Sequence, residues 1–387
     1  MPLLPQPRSS QLLRIKNRPL EFSFWPVERT TRRYGLGTRI FASDPWTVIN
    51  RSVERRCLAA TKDAAFALIE QAKDFYDASE SGVKDAKPLL MYYCMMNLAK
   101  AFVLSARQRA DVNDAVHGLS EKLDPAPNNV ELVNAWLDAK MNQANAPQTA
   151  KIKVFDGFLA ALSGIHIPAN NVRYDLLKLL PQIVPGHRLW AEGTTNTEKE
   201  RFVSLERIEF RQDQAEKEIW LRLYLFADDL KRINITHQDF IQNSKLNALF
   251  GEVATTESIN DRPLICLEQT APTTYQHRPA DQIPALVKEV KDLLWRTVLS
   301  SPPYRKYYCY SAPVVEHGQV LPQLLSIYAV TYYLGSIVRY RPHHFDRILQ
   351  GPYGPFIEAF LNDQPRQFIY LMASEFAEKE VTRAGIV

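Results

Sequence analysis

Between residues 89 and 104 the chain reads Leu-Leu-Met-Tyr-Tyr-Cys-Met-Met-Asn-Leu-Ala-Lys-Ala-Phe-Val-Leu, and Tyr92, Met96, Ala99 and Val103 recur at three- and four-residue steps. That spacing is helical and predicts a largely buried helix opened by Lys87-Pro88. Asn97 and Lys100 are its polar interruptions. A short polar stretch then leads to Asp114-Ala115-Val116-His117-Gly118-Leu119, where a further helix is expected to begin.

Upstream, Asp44-Pro45-Trp46 predicts a helix start, because an Asp side chain caps free amides and Pro is tolerated in the first turn. Apolar positions from Val48 through Val53, Cys57, Ala60, Ala64, Leu68 and Ala72 keep helical spacing and predict one helix ending at Ser81-Gly82. Asp124-Pro125-Ala126-Pro127 marks a break, and helical pieces are expected to continue to about Leu180.

The pattern then changes. Residues 201–210 and 218–226 alternate apolar with polar or charged side chains, the two-residue period of half-buried strands, and 263–268 and 306–310 are their expected partners. Residues 283–298 predict a helix. Beyond it, 321–340 is apolar and helical, Arg341-Pro342-His343-His344-Phe345 breaks it, and 355–361 and 367–380 predict two more helices. The expected fold is mainly α with a small inserted antiparallel β-sheet, an α+β chain. Its expected parts are an arm at 1–43, a helical region at 44–180, a β-containing insertion with one helix at 181–312, and a helical region at 313–387 that packs on the first.

Residues 318–338 contain no charged side chain, a length sufficient to consider a membrane span. Pro322, Gln323, Ser326, Thr331, Gly335 and Ser336 dilute the segment, and Tyr328, Tyr332 and Tyr333 lie at its middle instead of its ends. It reads as a buried core helix, not an integral membrane segment.

Composition adds a class and a compartment. With 387 residues, 46% of them hydrophobic, the chain can bury a large core. Cys57, Cys94, Cys266 and Cys309 lie far apart in apolar or aromatic settings, which reads as reduced core thiols of a cytoplasmic protein. The N-terminus lacks an apolar signal region. Charge is uneven: residues 1–56 carry eleven Lys and Arg against four Asp and Glu. Arg14, Lys16, Arg18, Arg29, Arg32, Arg33 and Arg39 are interleaved with Phe22, Phe24, Trp25 and Tyr34, a basic arm suited either to nucleic acid or anionic lipid or to packing as a belt on the body.

Familiar chemistries are missing from the pattern. His343 and His344 are adjacent and point apart on a helix, so no metal is expected. Gly35-Leu36-Gly37 lacks the third glycine and the preceding strand of a dinucleotide loop, and neither a Walker loop nor a nucleophile elbow occurs. No cofactor is expected.

Tyr92-Tyr93, Asn97-Leu98-Ala99-Lys100-Ala101, His117-Gly118-Leu119, Pro45-Trp46 and Tyr328-Ala329 with Arg339-Tyr340-Arg341-Pro342 together resemble the YaaC-like family of bacterial proteins, related to HEPN helical domains. The resemblance spans most of the chain from about Asp44. It implies a HEPN-like helical bundle core and, since some relatives belong to phage-defence modules, a non-catalytic recognition or adaptor protein. Such a protein senses an infection-associated structure and engages a co-encoded effector. The residues expected to form its binding site are Tyr93, Asn97, Lys100, His117, Arg339 and Arg341. The alternative is a metal-independent endoribonuclease in which His117 moves a proton while Arg107 or Arg109 holds the phosphate. Arg109 and His117 are separated by seven residues, with Asn113 at the nearer position, a departure from the nuclease spacing. Homo-oligomerisation is left open.

Overall fold

A computed structural model describes residues 4–15, 17–26, 39–82, 85–106, 111–123, 132, 135–142, 151–183, 187–195, 200–299 and 306–383. The chain is α+β and divides into two compact units, one built from 1–42, 200–317 and 378–387, the other from 43–199 and 318–377.

The second unit is mainly helical. Asp44 accepts hydrogen bonds from the amides of Trp46 (3.0 Å) and Thr47 (3.3 Å) and so starts α1, Pro45–Arg56. The single helix predicted from here breaks at Cys57-Leu58, where the backbone turns extended before α2, Ala59–Glu80. The buried Cys57 Sγ lies 3.2 Å from the Thr61 hydroxyl across that break. Next comes α3, Lys87–Ser105, buried along Met91, Tyr92, Met95, Leu98, Ala99 and Phe102. It is the one described helix whose length and apolarity suffice to cross a membrane, and two thirds of that span (67%) is covered inside the unit. It packs as a core helix.

The helix predicted after His117 is absent. The chain instead forms Leu119–Leu123, Ala135–Lys140 and Asn171–Asp175, an antiparallel three-stranded sheet with Leu119 opposite Ala139 and Leu137 opposite Tyr174. Alternate residues Ala135, Leu137 and Ala139 face inward and are fully buried, which is a strand's period and not a helix's. Helix α4, Val154–Ser163, lies between the second and third strands in sequence.

The C-terminal helices are α5, Gln323–Tyr340, α6, Pro342–Gln350, and α7, Gly354–Ala377. Every residue of α5 from Leu324 to Ile337 is buried, in agreement with the core-helix reading of that segment. Arg341 ends α5, and α6 begins at once. The two helices predicted across 355–380 are one, with Pro365 inside it. An interior proline costs roughly 3 kcal/mol. Burial of Phe356, Ile357, Phe360, Leu361, Phe368, Ile369, Met372 and Phe376 along the same helix outweighs that cost.

The first unit is built on an antiparallel sheet ordered Gln11–Leu12, Arg207–Asp213, Glu218–Phe226, Arg262–Gln269, Phe250–Val253. In Glu218–Phe226 the period of two is complete: Ile219, Leu221, Leu223 and Leu225 join one core with Ile283, Leu286, Val287 and Val290. Tyr224 and Phe226 join a second cluster. Arg8, Arg207 and Arg262 lie over the rings of Trp220, Tyr224 and Phe226 at 5.3, 4.1 and 3.8 Å. The helix predicted at 283–298 stops at Lys291, because Leu294–Arg296 is a strand paired with Tyr307–Tyr310, itself paired with Phe202–Leu205. The described part of the arm belongs to this unit, with Leu13, Leu20 and Phe22 buried and Arg14 and Arg18 exposed. Lys16, Arg29, Arg32, Arg33 and Tyr34 lie outside the described residues.

Candidate functional site

Within the helical unit, α3 and α5 approach closely where α5 carries Gly335. A Cβ there would meet the Pro88 carbonyl oxygen at 3.1 Å and the Tyr92 Cβ at 3.2 Å. The approach lets Tyr328 and Tyr332, one helical turn apart on α5, reach Tyr92 with ring centroids 5.7 and 5.1 Å away.

The His117 loop is fixed by its backbone. Val116 exchanges hydrogen bonds with Ile152 (2.8 Å) and Val154 (2.9 Å), and the His117 carbonyl accepts from the Phe155 amide at 3.2 Å. Gly118 takes φ +75° with its Cα facing Lys153, where a Cβ would stand 2.8 Å from the Lys153 Cβ. This is a position for glycine on both conformational and steric grounds. The loop thereby delivers the His117 ring between Tyr92 and Tyr332, 5.5 and 5.9 Å from their centroids, and Nδ1 hydrogen-bonds the Tyr92 hydroxyl.

Burial depresses the His117 pKa below its ordinary 6.5, the charges of Lys100 and Arg339 depress it further, and Glu121 opposes them. The ring is therefore neutral near pH 7. Burial raises Tyr92, Tyr328 and Tyr332, so all three phenols stay protonated. Tyr332 donates to the Leu119 carbonyl at 2.9 Å and approaches the Glu121 carboxylate at 3.4 Å.

Two cations complete the cluster. Half-buried Lys100 has its pKa lowered by burial, and Arg339 donates to the Tyr93 hydroxyl at 3.2 Å while its guanidinium lies 5.0 Å from the Tyr340 ring. Among the described residues neither Lys100 nor Arg339 ion-pairs with a carboxylate. Tyr93 stacks on Phe75 with centroids 5.4 Å apart.

Of the residues singled out in the sequence, Tyr93, Lys100, His117 and Arg339 thus come together. Asn97 does not join them: it is buried, and its amide donates to Gln71 on α2 at 2.7 Å. Arg341 stands at the α5–α6 junction, with Nη1 buried and without a hydrogen bond among the described residues. Arg107 and Arg109 lie outside the described residues. Glu121 and Tyr332 were not singled out for the site. Tyr332 was legible as the residue one turn beyond Tyr328. Glu121 required knowing that a strand follows Gly118. His343 and His344 pack ring to ring at 4.4 Å, and no group of three or more potential metal-ligating His, Cys, Asp or Glu side chains occurs among the described residues.

Searches of curated proteins and of solved structures gave no match. A family model described as YaaC-like Protein matches residues 24–376, which takes in the helices, the His117 loop and the α3–α5 cluster together. The chain belongs to the YaaC-like family.

Proposed function

We propose that this chain is a non-catalytic recognition protein of bacterial antiviral defence that senses an infection-associated structure and passes the signal to a partner effector. The observation that carries the reading is the surface where Arg339 meets Tyr93 and exposed Tyr340, with Lys100 and Arg339 both acting on His117 and neither ion-paired to a carboxylate among the described residues. Arginine and tyrosine are the side chains enriched where proteins bind one another, and uncompensated cations select an acidic segment of the partner. His117 acts here as a positioned hydrogen-bonding group, held by Tyr92. A HEPN-like ancestry of the helical unit belongs to the same proposal and rests on the Tyr-Tyr, Asn, Lys and His-Gly pattern.

The test is phage plating on a sensitive host carrying the gene with its genomic neighbours. Protection is expected for the parent chain and its loss for Arg339→Ala combined with Lys100→Met, both proteins melting alike. Equal protection by that variant, or none by the parent, would contradict the reading.

One observation favours an endoribonuclease instead: a neutral imidazole flanked by two cations has the elements of a base beside a phosphate-binding pair. In that case the purified chain cleaves single-stranded RNA in the presence of a chelator and His117→Ala does not. The recognition reading predicts no cleavage by either.

A further inference from the structure

Residues 5–12 cross one face of the sheet in the first unit, from the end of Phe250–Val253 to the outer edge of Arg207–Asp213. Ala254 donates to the Pro5 carbonyl at 2.9 Å, and Gln11 and Leu12 pair antiparallel with Gln212 and Arg211. Between those ends side chains hold the backbone. Glu268 accepts from the Arg8 amide at 3.2 Å, Arg222 donates to the Arg8 carbonyl at 2.7 Å, and Arg211 donates to the Ser10 carbonyl at 2.9 Å. Trp220 and Arg222 alternate with Ile219, Leu221 and Leu223, so this face is the one turned away from the core shared with Leu286, Val287 and Val290.

Arg8 is the anchor. Its guanidinium donates through Nη1 to the Gln269 carbonyl at 2.7 Å and through Nη2 to the Thr270 carbonyl, lies 3.6 Å from the Glu268 carboxylate, and stands 5.3 Å from the centre of the Trp220 ring. Two carbonyl acceptors, a carboxylate and an indole face suit the planar fork of an arginine and not the point charge of a lysine. The site keeps its shape by its own bonds: Glu268, 4% exposed, also accepts from Trp220 Nε1 at 3.1 Å and Arg222 Nε at 2.6 Å. The segment, by contrast, buries little. Leu4, Pro5, Gln6 and Ser9 are exposed, and no described residue before Leu13 is fully buried. Residues 4–10 are thus held by polar contacts and detach at far less than the cost of global unfolding, while Leu13 keeps the chain fixed in the core.

We infer that this face is a docking site for an extended, arginine-bearing segment, filled in cis by residues 5–12, and that its occupant in trans is the same segment of a second copy of this chain. The recognising contacts are one side chain and the backbone on either side of it, so the segment fits the site whichever copy it comes from. With Leu13 fixed, residues 4–12 reach about 30 Å when extended, far enough to cross to a facing copy. Release also unpairs the edge of Arg207–Asp213, and an open strand edge is a template for another strand. Reciprocal exchange fills both sites and both edges at once, which closes a two-fold dimer. This site is independent of the recognition surface on the helical unit.

The experiment follows, by fluorescence anisotropy, a labelled peptide with the sequence of residues 1–15 binding to the full chain, parent and Arg8→Ala. Saturable binding to the variant is expected, roughly tenfold or more tighter than to the parent, whose own Arg8 competes at an effective concentration on the order of millimolar. The same peptide carrying Arg8→Ala should bind roughly tenfold more weakly, through loss of charge-assisted bonds. A second measurement mixes full-length Arg8→Ala, which keeps the site, with full-length Glu268→Gln, which keeps the segment, and reads mass by light scattering. A one-to-one heterodimer is expected beyond what either variant forms alone. If Glu268→Gln does not fold, the parent at millimolar concentration takes its place, with a dimer that excess peptide disperses. No saturable binding to Arg8→Ala, equal binding of the two peptides, or peptide binding without any dimer would overturn the inference.

Discussion

The charge of Lys100 acts on His117, so the ring reports on the ammonium. The folded-state pKa of His117 lies below 6.5, so as pH falls the unfolded chain takes up the proton first. The stabilising contribution of the neutral ring is thus complete above pH 6.5 and is lost as pH falls toward the folded pKa. Lys100→Met keeps the apolar stem, removes one of the two positive neighbours and should raise the His117 pKa. An NMR titration of the His117 ring in parent and variant checks the sign. An unchanged or lowered pKa would show that the ammonium does not act on the ring.

At the level of elements, the α3–α5 contact depends on a missing side chain. Gly335→Ala places a methyl group against Pro88 and Leu89 backbone and the Tyr92 Cβ, all at 3.1–3.3 Å, so the helices must part. The expected cost is about 1–3 kcal/mol, together with a weakened Tyr92–His117 bond, measured as a lower melting temperature and a shifted His117 resonance. A variant as stable as the parent would place the helices farther apart than described.

Elements with a long, uniform period were readable from the sequence. α3 and α5 are long apolar runs and Glu218–Phe226 alternates through Ile219, Leu221, Leu223 and Leu225, so length and period together identified them. The short strands Leu119–Leu123 and Ala135–Lys140 were missed because five or six residues hold too few repeats to separate two from three and a half, and the intervening prolines suit a break in either structure. Pro365 misled in the opposite direction, since local propensity gave way to burial of the whole helix. At the site, Tyr93, Lys100, His117 and Arg339 were legible as polar groups in apolar or glycine-marked settings. Glu121 was not, because its place follows from strand pairing.

At the scale of the molecule, the sheet-containing unit gathers segments from both ends of the chain. The Gln11–Leu12 strand pairs with Arg207–Asp213, Arg39–Ala42 pairs in parallel with Glu380–Arg383, and Phe22 and Phe24 pack on Tyr307 at 5.1 and 5.4 Å. Removal of residues 1–26 should therefore lower the melting temperature, because Leu13, Leu20 and Phe22 leave a core, each worth about 1.5–3 kcal/mol when fully buried. An arm serving only as a free basic tail would leave the melt unchanged and cost salt-sensitive binding alone.

The proposed recognition without catalysis is separated from nuclease chemistry by His117→Asn, since asparagine retains a hydrogen-bonding group near Tyr92 and cannot carry a proton at neutral pH. The decisive measurement is phage plating efficiency on a host carrying the locus with either His117→Asn or Arg339→Ala in the full chain. Protection close to parental is expected for His117→Asn, and its loss for Arg339→Ala. Loss with His117→Asn in a protein that melts like the parent, together with RNA cleavage by the parent chain, would contradict it.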